Sequence, residues 1–212
     1  MNAGLSNLDQ LKAHLLPSGT MAGETRFDQV IIDLGQGVAE AMENECNRQF
    51  ERVVGAQVIF QADRASFTLP RFPIEIITTA ELDMRDGNGF VVQLPSFIQS
   101  YTPDSGMVYL QEVPDAGPYW AQVRFTYTGG FWWEELEPDD AGFPSALPPT
   151  ATALPKDLRL AWLNHCRATW NAWDKLGTGL VDKPGAQTTI GDLEFSASVK
   201  RTLGNYVVMQ PI

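Results

Sequence analysis

Two cysteines and two histidines in 212 residues leave little material for a disulfide scaffold, a thiolate–imidazole zinc site or a histidine-dependent nucleophile. Cys46 and Cys166 both lie among apolar residues at helical spacing, which suits a reducing cytosol, and they read as small buried side chains. His14 and His165 are far apart, and neither has a partner at the spacing of a zinc-binding helix. His165 adjoins Cys166, but neighbouring helical residues point about 100° apart and do not readily share a metal. Basic residues are also in the minority. With 15 Lys+Arg against 26 Asp+Glu the formal charge is −11, which opposes a protein that coats nucleic acid by neutralising phosphates. An acidic surface that DNA slides past is still compatible with that balance. No run approaches about 18 apolar residues, and the first ten residues lack a basic region followed by an apolar one, so neither a membrane span nor a secretion signal is expected. G-x-S-x-G, phosphate-loop, G-x-G-x-x-G and H-E-x-x-H motifs are missing too. The expectation is therefore no catalytic residue, no cofactor and no metal.

What is present is a globular composition, 44% hydrophobic, in a chain long enough to bury roughly 70% of its unfolded surface. Its periodicity changes twice. Ser6 with Asp9 has the form of a helix start before Leu8, Leu11 and Leu15, and Pro17 follows. Phe27, Val30, Ile31, Leu34, Val38, Met42, Cys46 and Phe50 then recur in steps of three and four, predicting a long helix over about 24–50. Gly35 and Gly37 inside it imply a close neighbour or a bend. From Gln57 the signal becomes alternation of β-formers: Val58 and Phe60, Phe67 and Leu69, then Ile74, Ile76 and Ile77. Asp86-Gly87-Asn88-Gly89 marks a tight turn between a strand ending at Met84 and one starting at Phe90. Further strands are expected over 107–111 and 119–128, with Gly129-Gly130 ending the sheet. Leu158, Trp162, Cys166, Trp170 and Trp173 predict a second long helix over about 156–175, and Ser196 caps a last one over about 196–206. The fold class expected is α+β, with a helical part from 1–54 and 151–212 and a β-rich part from 55–150.

Three features invite a functional reading. Glu134, Glu135, Glu137, Asp139 and Asp140 open a Pro-rich stretch, 134–155, that reads as an exposed, semi-extended loop rather than as paired acid/base carboxylates or cation ligands. Trp132 and Trp133 are adjacent at a strand end, where alternation turns one of them outward towards a partner protein. The end of the chain, with Tyr206, Val207, Val208, Met209 and Ile212, is too apolar to be explained as a free terminus. It either docks on another protein or folds back on its own subunit.

Taken in order, several segments resemble the head-tail connector (adaptor) proteins of tailed bacteriophages. They are Leu5-Ser-Asn-Leu-Asp-Gln-Leu-Lys12; the helix close Asn47-Arg48-Gln49-Phe50; Leu69-Pro-Arg-Phe-Pro73-Ile74; and Ser105-Gly106-Met107-Val108-Tyr109-Leu110. Val123-Arg-Phe-Thr-Tyr127-Thr-Gly-Gly130, Leu154-Pro155-Lys-Asp157-Leu158-Arg-Leu-Ala161 and Val199-Lys-Arg-Thr-Leu203-Gly-Asn-Tyr206 complete the series. The resemblance implies a helical bundle with an inserted antiparallel β domain. It also implies a virion protein, assembled in the host cytoplasm into a homo-oligomeric ring, commonly dodecameric. Such a ring sits beneath the portal, above tail or stopper proteins, and lets DNA pass without sequence-specific binding. On that reading Trp132, Trp133 and the apolar tail bind partners, and the acidic run 134–140 lines a channel or an interface. The alternatives are a monomeric β-rich module binding carbohydrate or another ligand, and an enzyme acting through its carboxylates.

Overall fold

In a computed structural model the residues described are 3–16, 25–113, 121–133, 147–179 and 194–208, with side chains of the second long helix described as far as Ala172. The fold mixes α-helices with mainly antiparallel sheets, and the chain divides into two compact units. One comprises 1–46, 133–146 and 154–207; the other comprises 47–132, 147–153 and 208–212.

The first unit is helical. Helix α1 spans Leu8–Leu15, α2 Asp28–Cys46, α3 Lys156–Gly179 and α4 Ala197–Leu203. The cap of α1 is Asn7, whose side chain accepts the Gln10 N–H at 2.8 Å, whereas Ser6 donates its hydroxyl to the Gln10 side chain. Ser196 caps α4 by accepting from the Val199 N–H. Helix α2 stops at Cys46, shorter than its apolar stripe suggests, because Asn47 takes the left-handed conformation (φ 52°). Phe50 consequently belongs to the other unit. Leu11, Ile31, Met42, Leu158, Trp162, Cys166 and Leu203 form a core that is essentially water-free. The glycine question resolves into a close approach. A Cβ on Gly35 would strike the Ala3 carbonyl and lie 2.8 Å from Leu11 Cδ2, and the Trp162 indole donates to the Gly35 carbonyl at 2.9 Å. Gly37 faces open space.

The second unit is β-rich. Strands β1 (Val53–Gln61), β2 (Ser66–Thr68), β3 (Ile74–Asp83), β4 (Val91–Val92), β5 (Ile98–Thr102), β6 (Met107–Leu110) and β7 (Gln122–Gly129) make two antiparallel sheets, ordered β1-β7-β3-β4 and β2-β6-β5. Phe67, Leu69, Val108, Leu110, Val123, Phe125 and Tyr127 fill one core, with Ala56, Val58 and Phe60 of β1 turned towards it. The turn at 86–89 joins β3 to β4 as expected, with Asp86 Oδ1 accepting the Asn88 N–H. Gly129 ends the four-stranded sheet as expected, but the chain stays extended beyond it. Gly130, at φ 103° and packed onto the Glu51 backbone, redirects it into β8 (Phe131–Trp132), which pairs in parallel with β9 (Thr152–Ala153). The stretch expected to be loop through Pro155 thus contains a short strand. Its non-local pairing leaves no local periodicity to read.

Candidate functional site

Of the residues singled out from sequence, Trp132, Trp133, Tyr206, Val207 and Val208 are described. Trp132 and Trp133 are only 8% and 4% exposed, which corrects the expectation that one ring turns outward. Strand β8 is two residues long and buries both of them, and Trp133 lies beyond its end, where alternation no longer governs direction. Both indole N–H groups are buried, and among the described residues neither meets an acceptor. Tyr206 donates to Asp157 Oδ1 at 2.7 Å, Val207 is exposed, and Val208 packs half-buried against the β core. Met209 and Ile212 lie outside the described residues, as do Glu134, Glu135, Glu137, Asp139 and Asp140.

The scarce titratable side chains serve packing. His165 packs tilted against Phe195, ring centres 4.6 Å apart, and burial lowers its affinity for a proton. His14 shifts the same way, through burial and then the nearby Arg167 charge. Burial pushes the Cys166 thiol far up, out of its reactive range, and Cys46 donates to the Leu203 carbonyl. Among the described residues no three His, Cys, Asp or Glu side chains gather to hold a metal, and no helix is long and apolar enough to cross a membrane.

Charge is used architecturally in the β unit. Arg52 makes a bidentate pair with Glu75 (2.5 and 2.9 Å), both side chains almost fully buried, and Thr150 donates to the same carboxylate. Arg48 is buried with its guanidinium 3.5 Å from the Phe72 ring centre, near Phe50 and Phe131, while donating to the Phe72 carbonyl. The hydrogen bond from Arg124 holds the Glu81 carboxyl below its ordinary range.

Sequence reasoning missed a groove of 530 Å³ in the β unit, walled by Ile77–Ala80 of β3 on one side and Ile98–Tyr101 of β5 on the other. Its lining has no carboxylate, imidazole, amine, guanidinium or thiol, so it suits an apolar or hydrogen-bonding guest better than acid–base chemistry. Strand β4 is only two residues long, and among the described residues no strand pairs with the rest of β3 on that side, an arrangement with no signal in any one segment.

No protein-family model matches the chain, and no curated protein matches it. Solved structures do share its fold. A chain of the neck of an empty gene transfer agent (GTA) particle, computed with C6 symmetry, superposes with a TM-score of 0.60 at 17% identity, over 100% of this chain and 93% of that one. A chain of the virion of a native GTA particle gives 0.58 at 16% identity, over 97% and 90%. A chain of the neck of the native particle, computed with C12 symmetry, gives 0.51 at 15% identity, over 97% and 90%. At such identities the likeness is one of fold.

Proposed function

We propose that the chain is a structural neck protein of a phage-like particle, a head-tail connector of the adaptor type that forms a ring beneath the portal and extends the DNA channel towards the tail. The observation that carries this reading is the likeness to neck chains along the whole length of the protein. A helical unit built from both ends of the chain and a β-rich unit from its middle support it, being the bundle-plus-insertion layout that the sequence resemblance implies. The excess of acid suits a conduit that must release a polyanion: −11 per copy repels phosphate wherever it faces the bore. Residues 134–140 supply that acid to the channel or to an interface, and the 206–212 tail supplies the contact with portal or neighbour. The chain works by shape and contact and not by turnover. Alanine at Glu134, Glu135 and Glu137 accordingly alters assembly without removing any activity.

Mass photometry of the purified chain, alone and mixed with a candidate portal ring, with negative-stain imaging, tests the reading. A ring, or stoichiometric capping of the portal by subunits that start as monomers, is expected. A monomer that ignores portal would overturn it in favour of a ligand-binding module, whose site would be the uncharged groove beside β3.

A further inference from the structure

Among the described residues the four-stranded sheet is open at both edges, and the two openings differ. At one, β1 pairs with β7 on one side only. Exposed edge strands are normally blunted by lysine, proline or other charge. Strand β1, Val-Val-Gly-Ala-Gln-Val-Ile-Phe-Gln, has none of these over nine residues, and Val54 and Ile59 are 68% and 49% exposed. At the other edge, β4 covers β3 only at Glu81 and Leu82, with the Gln93 N–H reaching the Ala80 carbonyl at 2.8 Å. From Glu75 to Thr79 no strand lies against that edge among the described residues, Ile76 is 55% exposed, and the groove runs alongside.

Building on the ring reading above, we propose that β1 of one copy docks on the open β3 edge of the next, entering the groove between β3 and β5, so that a single sheet runs from subunit to subunit. Topology fixes the direction. Strands β1 and β3 are each antiparallel to β7 and hence parallel to each other, and successive copies related by one rotation keep that sense, so the ladder at the junction is parallel. The interface joins two different edges, the heterologous kind that closes into a ring when the rotation permits. A two-fold dimer would instead pair β1 with β1. The side chains favour the continuous sheet. Ile59 sits opposite Arg124, on the face away from the core, where cross-strand burial against an exposed residue such as Ile76 removes apolar surface from water on both copies. The groove lining carries no charge, so a strand with none enters it without stripping water from an ion.

The test uses the full chain, under whichever condition, alone or on the portal ring, gives wild-type assembly. Ile59→Lys and Ile76→Lys, both at exposed positions, are expected to raise the concentration for half-assembly by about tenfold or more while leaving thermal unfolding of the monomer unchanged. Paired cysteines, Ile59→Cys with Ile76→Cys or with Thr78→Cys, are expected to give a ladder of covalent multimers on a non-reducing gel. Assembly indifferent to both lysines, with no ladder from either pair, would overturn the shared sheet and leave the ring reading standing. Covalent dimers from Ile59→Cys alone would also overturn it, since they report β1 against β1. A wild-type chain that stays monomeric alone and with portal would overturn both.

Discussion

Gly35 and Gly37 differ by two positions and by their whole environment. A methyl on Gly35 must displace the Ala3 backbone, Leu11 or the Trp162 ring, whereas one on Gly37 meets nothing within 4 Å. Gly35→Ala is expected to cost about 2 kcal/mol or more, as overpacked helices do, while Gly37→Ala gains up to about 1 kcal/mol from helix propensity. Urea denaturation of the two variants checks the contrast. The sequence marked both glycines as unusual but not which one faced a neighbour, because that depends on residues 3 and 162. The histidines make a second prediction. Folding lowers the proton affinity of His14 and His165, so the unfolded chain binds more protons once pH falls below about 6.5. Stability held above that pH is therefore lost on acidification. Thermal unfolding between pH 7 and 5.5 should show the loss, and His165→Leu should flatten it.

At the scale of elements, the buried Arg52–Glu75 pair links the chain entering β1 to the start of β3, and Glu75→Ala strands a guanidinium without its partner. A loss of about 3 kcal/mol is expected in chemical denaturation. Arg64→Ala, which removes an exposed pair with the adjacent Asp63, should shift stability by less than about 0.5 kcal/mol. Elements whose signals are local were legible from the residues. The turn at 86–89, the Ser196 cap and the apolar stripe of α2 each carry their own chemistry within a few positions. Elements fixed from a distance were not. The parallel β8–β9 pair joins Phe131 to Thr152, and the burial of Trp132 follows from that pairing and not from alternation. The groove escaped for a related reason: an unpaired edge is a property of strand order, which no single segment encodes.

For the molecule as a whole, the apolar tail makes a further prediction. Val208 already packs on the β core while Val207 stays exposed, so deleting residues 207–212 should leave most of the fold intact and weaken capture of subunits by the portal ring, read by mass photometry. The candidate site was the least legible part of the sequence, because the docking surface proposed for it, built from backbone edges and apolar side chains, has no motif of its own. The division into two units bears on how the chain is made. The two larger sheets of the β-rich unit are supplied by residues 53–129, whereas the helical unit needs α3 and α4, which leave the ribosome after them. During synthesis the parts of α1 and α2 that pack on α3 and α4 must therefore wait for more than a hundred residues. Chaperone cover over that interval is expected to raise the soluble yield of this protein, read as the soluble fraction with and without a co-expressed chaperone.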